Sequence, residues 1–212
     1  STLRCKSFSE LYYTNKGETV VSADGLAIEL TDAELVSMDR AEIDLSASSY
    51  SVTLPVQYTG LEVLDITVNA GDGKHSLGND LSNLQIPQAV KNATQSHGNT
   101  SLIVKYQWDS TKVKYLEVPV TFVTKCIASS ADLLALTHTS GQTTYGYYKL
   151  TANIDISTNG WEEFTGSTLG TFSGTFDGNG LTIKSKARTH GIFGMIASAT
   201  IKNLTVLDAW SY

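Results

Sequence analysis

The sequence predicts an all-β protein in two parts, a β-sandwich over residues 1–126 and, over 127–212, a cap and the first rungs of a parallel β-helix. Three observations carry the prediction. Apolar and polar residues alternate with a period of two through much of the first 125 residues, turn signals separate those runs, and three segments of the last third repeat one pattern. Composition agrees. Charged residues make up 17% of the 212, below the roughly 25% of an ordinary domain, and Ser, Thr and Asn fill the difference beside 17 Gly and only 3 Pro. A polar surface of low charge suits an extracellular β protein. This length buries a real core either as one large domain or as two small ones.

In the first part the clearest strands are 19–23, 26–30, 50–58, 63–69, 101–108 and 115–124. Tyr50, Val52, Leu54 and Val56 fall on one face, and Ser51, Thr53, Pro55 and Gln57 on the other; Leu116, Val118, Val120 and Phe122 make a second such stripe. One apolar face and one wet face are what a sandwich strand needs. Pro55 and Pro119 each remove a ladder donor, so their strands are expected at an edge or a bulge. Turn signals fall at Asn15-Lys16-Gly17, Asp24-Gly25, Gly71-Asp72-Gly73, Gly78-Asn79-Asp80 and His97-Gly98-Asn99. The stretch 32–38, rich in helix formers after Thr31, reads instead as a short helical turn. Residues 1–20 read either as part of this module or as the tail of a preceding one.

The composition changes near Cys126. Ser129 and Ser130 precede Ala131-Asp132-Leu133-Leu134-Ala135-Leu136, which predicts a capped helix of two to three turns closing one end of the β-helix. Next come Asn153-Ile154-Asp155-Ile156, Gly180-Leu181-Thr182-Ile183 and Asn203-Leu204-Thr205-Val206, spaced 27 and 23 residues apart. Repetition at 20–30 residues marks a solenoid, in which no coil buries its apolar face alone. Gly170, Gly174 and Gly191 each stand two residues before a Phe and suit coil corners with positive φ. Asp177-Gly178-Asn179-Gly180 is a strong turn signal.

These residues resemble bacterial surface proteins with GLUG-type repeats on a pectin-lyase-like, right-handed parallel β-helix. The likeness runs through Tyr148–Ile156, Phe172–Ile183, Gly191-Ile192-Phe193-Gly194 and Ile201–Val206, about a third of the chain. Residues 40–125 more loosely resemble bacterial immunoglobulin-like modules. The resemblance implies a secreted, cell-surface, adhesin-like protein rather than an enzyme. About three rungs precede Tyr212, and an open solenoid end exposes strand edges. The native chain is therefore expected to continue, or another chain to cover that edge as an oligomer.

Patterns that would carry chemistry are scarce. A net charge of −6 with no Lys/Arg run argues against nucleic acid. No apolar stretch approaches the ~20 residues of a membrane span, and Ser1–Cys5 carries no signal-peptide core, so an exported form would have lost its leader. No nucleophile elbow occurs, and His75, His97, His138 and His190 make no zinc motif. Asp72, Asn79 and Asp80 in one loop, and Asp177 and Asn179 in another, offer oxygens for calcium, but Asx turns explain both. No metal or cofactor is implied. Glu162, Glu163 and Asp177 are the acidic residues of the central rungs, and sequential Glu162 and Glu163 would face opposite ways on a strand. Cys5 and Cys126 read either as a bridge closing the first module or as two separate thiols. The aromatics Tyr145, Tyr147, Tyr148 and Trp161 cluster near the first rung as candidate ligand-binding groups, with at least two expected to pack in the core. The expected function is structural and adhesive, toward a glycan or a host surface protein. The alternatives are a fragment of a β-helix carbohydrate-active enzyme or an accessory module of a large secreted peptidase.

Overall fold

The computed structural model describes residues 33–137, 141–157, 170–185, 192–193 and 195–208, preceded by the backbone of four short strands. Among these, β1 (Leu3–Cys5) runs antiparallel to β2 (Leu11–Tyr13), and β3 (Thr19–Val21) antiparallel to β4 (Ala27–Glu29). The protein is mostly β, with two short α-helices among the described residues.

The first part centres on one mixed sheet. It comprises β5 (Ala33–Leu35), β6 (Ala41–Asp44), β7 (Glu62–Ala70), β8 (Gly73–Ser76), β9 (Gly98–Gln107) and β10 (Val113–Val123). Antiparallel pairing links β8, β7, β9 and β10; β5 and then β6 pair with β10 in parallel. Alternation decides which face is buried: Ile66, Val68, Leu102, Val104, Leu116, Val118, Val120 and Phe122 are at most 1% exposed. They cluster with Tyr50, Val52, Leu77, Leu84 and Val90 from segments outside the ladder, the last from α1 (Gln88–Asn92). Pro119 sits where β10 passes from β5, which ends opposite Glu117, to β6, which begins opposite Val120. β10 is paired on both sides in an unbroken register, so the edge or bulge expected for Pro119 is not found; its missing N–H falls instead in the gap between the two parallel partners.

Two further expectations are overturned in this part. Ala33–Leu35 is a strand and not a helical turn, because Leu116 and its neighbours offer it a backbone ladder that outweighs weak local propensity. Residues 50–58 do not form a strand. Tyr50 and Val52 do turn inward, but their backbone bonds are isolated ones to Leu84 and Leu81, and Pro55 leads into a 3₁₀ turn over Val56–Tyr58.

The second part grows directly from β10. After Thr124, β11 (Lys125–Ile127) starts a parallel sheet, and α2 (Ser130–Thr137) comes next. Ser129 caps α2: its hydroxyl accepts from the Asp132 N–H at 3.1 Å and donates to the Asp132 carboxylate at 2.8 Å. Leu133 and Leu136 are buried in the second core. Then nine strands arrive in threes: β12 (Thr143–Thr144), β13 (Tyr147–Leu150) and β14 (Ile154–Asp155); β15 (Thr171–Phe172), β16 (Thr175–Asp177) and β17 (Thr182–Ser185); β18 (Met195–Ile196), β19 (Thr200–Lys202) and β20 (Thr205–Asp208). Each triple visits three sheets in the same order, β12-β15-β18, β11-β13-β16-β19 and β14-β17-β20, and every pairing is parallel.

Inward residues stack in columns. Ile154, Ile183 and Val206 are register partners, as are Tyr148, Phe176 and Ile201. The sequence pattern aligned Ile156 with Ile183; the ladder sets Ile154 there, two residues away, and Ile156 instead donates its N–H to Lys184 O. A shift of two preserves which face is apolar, so alternation alone leaves it unread. In the middle of the stack Phe176 and Ile183 are fully buried, with Phe193 packed on Phe172 (5.4 Å) and Phe176 (4.9 Å). In the last triple Ile196, Ile201 and Val206 are 51%, 37% and 47% exposed, since no further strand lies over them among the described residues. Gly174 has an ordinary φ; its place demands glycine because a Cβ would stand 2.4 Å from Gly146 O. Gly170 is likewise absent from the positive-φ residues, and Gly191 lies outside the described residues.

Candidate functional site

The two parts meet around Thr124. Its N–H donates to Tyr147 O at 2.7 Å, while its hydroxyl accepts from the Tyr147 N–H at 2.9 Å. That hydroxyl also lies 2.7 Å from His97 Nδ1, and His97 Nε2 lies 2.9 Å from Val90 O. A carbonyl only accepts, so Nε2 carries the proton and Nδ1 accepts from Thr124; the partners fix the tautomer. Burial lowers the His97 pKa from 6.5, against the pull of the Val90 carbonyl, which keeps the ring neutral. Gly146 completes the joint: with φ +123° it leaves room for Thr124 Oγ1, which a Cβ would meet at 2.3 Å. On the outer face Lys149 pairs with Glu42 of the first part.

Beside this joint runs a groove of about 290 Å³, lined by Thr94, Gln95 and His97 of the first part and by Tyr145, Gly146, Ser173, Gly174, Thr175, Ser198 and Thr200 of the second. No carboxylate, lysine or arginine lines it. Tyr145 is 38% exposed at its side. Tyr147 stands in register with Thr175 and Thr200, and the next outward row carries Lys149, Asp177 and Lys202. Asp177 Oδ2 accepts from the Tyr147 hydroxyl at 2.7 Å and pairs with Lys202 Nζ at 3.3 Å, and Oδ1 accepts from the Asn179 N–H and from Asn203 Nδ2, both at 3.0 Å. Burial alone would raise this carboxyl, but these donors outweigh it and hold it at about 2. Asp177 thus stays ionised with both oxygens occupied, which suits a structural clamp and not a general acid.

The predicted aromatics separate. Tyr148 is buried against Phe172 (6.0 Å), its hydroxyl donating to Tyr145 O. Tyr147 is half-buried and tied to Asp177. Tyr145 faces the groove, and Trp161 lies outside the described residues, as do Glu162, Glu163, His138 and His190. Thr94, Gln95 and the Ser/Thr positions were not singled out from sequence, and His97 only as part of a turn signal and as a histidine outside any zinc motif. Two consecutive polar residues opening a 3₁₀ turn (Thr94–Ser96) carry no signal of what faces them 50 residues later.

The Asx loops hold their oxygens in turns. Asp72 pairs with His75 at 2.6 Å, and Asp80 accepts from the Ser82 N–H (2.8 Å) and hydroxyl (2.6 Å). Among the described residues no group of three or more His, Cys, Asp or Glu is placed to hold a metal. Cys126 is a free thiol, so it is not half of a bridge to Cys5. Its pKa is pushed up to about 11 by burial and then by Asp44 and Glu42, which leaves it protonated and unreactive at neutral pH. Among the described residues no helix is long and apolar enough to cross a membrane. Compared with known proteins, the chain finds no match among family models, curated proteins or solved structures.

Proposed function

We propose that the chain is a non-catalytic, structural and adhesive segment of a secreted bacterial cell-surface protein. In this reading an immunoglobulin-like module leads into a right-handed parallel β-helix of the GLUG-repeat kind, and the pair presents a rigid surface to a glycan or a host protein. The observation that carries it is the unbroken parallel register from β11 through β19, flush with the sheet that ends in β10. Short parallel crossovers are right-handed in nearly all proteins, which supports the hand. A rod of stacked coils sums neighbour contacts and holds outward side chains at fixed spacing, as an adhesive surface requires.

The non-catalytic reading is supported by the chemistry of the joint. His97 has both ring nitrogens bonded, Asp177 has both oxygens bonded, and glycoside hydrolysis requires a free carboxyl pair. The test is to incubate the full chain with a panel of bacterial and host polysaccharides and, separately, to measure adhesion of chain-coated beads to host-cell monolayers. Adhesion without release of reducing sugar is expected. Sugar release, or adhesion no better than that of beads coated with an unrelated β protein, overturns the proposal.

A further inference from the structure

We infer that the groove between Thr94–His97 and the coil corner is a binding site for a neutral oligosaccharide. The inference rests on the adhesive reading and names its ligand class and its place. Four features of the groove converge on that ligand.

The lining carries no charge while being rich in donors and acceptors: Thr94, Gln95, Ser173, Thr175, Ser198 and Thr200. No protein hydrogen bond to the side chains of these six is seen among the described residues, so they are available to hydroxyls of a ligand. A phosphate, uronate or sialate would find no cation there, and leaving its charge uncompensated is costly. The charges nearest along the sheet, Asp177 and Lys202, are already paired with each other.

The floor is bare backbone. Gly146 and Gly174 both line the groove without a side chain; a Cβ on Gly174 would stand 2.4 Å from Gly146 O, and one on Gly146 would stand 2.3 Å from Thr124 Oγ1. Thr175 and Thr200 are register partners one coil apart, and strands in a sheet repeat every ~4.8 Å. That spacing is close to the separation of hydroxyls across one pyranose ring, so one sugar meets two coils. Finally, Tyr145 offers a half-exposed ring at the wall, an apolar face with a polar tip on which the C–H face of a sugar stacks. At about 290 Å³ the groove lies at the small end of ligand sites, suited to one or two sugar rings of a longer chain that passes through. The polar ends of His97 are committed to Thr124 and Val90, so the imidazole forms wall and takes no part in proton transfer.

The experiment uses the full chain on an immobilised panel holding neutral oligosaccharides (glucans, mannans and N-acetylhexosamine oligomers) and anionic ones (uronates and sialylated glycans), followed by calorimetric titration of the strongest binder. Two variants accompany it: Tyr145→Ala, and Ser198→Trp, which fills the groove from an exposed position that has no role in the core. Trp108→Ala, an exposed aromatic on the β9–β10 hairpin, serves as control. The expected result is binding of a neutral glycan, weakened roughly tenfold by Tyr145→Ala, the worth of one stacking contact, and abolished by Ser198→Trp, with the control unchanged. Thermal melts of both variants within a few degrees of the parent exclude unfolding as the cause. Neutral-glycan binding that both variants retain overturns the groove while leaving the adhesive reading intact. Preference for anionic glycans, or binding to host protein with none to any glycan, overturns the ligand class and likewise spares that reading. Cleavage of a bound glycan overturns both.

Discussion

Asp177 gathers donors from three successive coils: Tyr147 before it, Asn179 beside it, and Lys202 and Asn203 after it. With its folded pKa at about 2 and an ordinary value of 3.8, the folded carboxyl binds its proton more weakly than the unfolded one. The stabilisation is therefore complete above about pH 4 and vanishes as pH falls through about 2, and is worth roughly 2 kcal/mol. Urea titrations of the parent and Asp177→Asn across that range are expected to show a gap of about that size at pH 6 that closes near pH 2. A gap independent of pH contradicts this role. Glycines sort on the same scale. A Cβ on Gly178 would lie 2.5 Å from Asn203 O and Leu204 Cα, whereas one on Gly180, at φ +73°, meets nothing. Gly178→Ala is expected to cost well over ~2 kcal/mol and Gly180→Ala only about 1, measured by the same titrations. The sequence announced this turn through its Asp-Gly-Asn-Gly string, but not which glycine answers to φ and which to a neighbouring coil. Close approach between coils is set by tertiary register, which no local pattern encodes.

Among the elements, the same inward position is worth different amounts in different coils. Phe176 is fully buried between Tyr148 and Ile201, while Ile201 is 37% exposed. Phe176→Ala is expected to cost about 3–5 kcal/mol and Ile201→Ala less than about 1.5, because the latter leaves a dent in an open surface instead of a closed cavity. Equal costs in chemical denaturation would mean that Ile201 is covered in solution. Strands β7, β9 and β10 were legible because they are long, nine to eleven residues each, and alternate over much of that length. The short strands were harder. Ala33–Leu35 looked helical, and Tyr50–Tyr58 alternated perfectly yet lacks a ladder, since alternation reports burial on one side and not a hydrogen-bonded partner. The repeat was legible in kind, and its first member was offset by two residues for the same reason.

Across the whole molecule, the joint at Thr124 ties the two parts through His97, Tyr147 and the Lys149–Glu42 pair. The His97 pKa is lowered from 6.5, so the folded ring resists protonation. Its contribution is full above about 6.5 and is lost as pH falls below that value. Melting temperature is expected to drop between pH 7 and pH 5, and His97→Gln, which keeps a donor for Val90 O, is expected to flatten that drop; an unchanged profile in the variant contradicts the assignment. None of this joint was legible in the sequence, because its parts lie 23 to 82 residues from Thr124 and share no pattern.

The parallel stacking of β13, β16 and β19 underlies both the proposed rod and the groove. Thr175 and Thr200 face outward as register partners, at a separation within disulfide reach. With Cys5 and Cys126 replaced by Ser, the pair Thr175→Cys and Thr200→Cys should cross-link under mild oxidation at least about tenfold faster than Thr175→Cys with Lys202→Cys, two residues out of register. Equal rates, or faster closure of the shifted pair, would contradict the parallel stack.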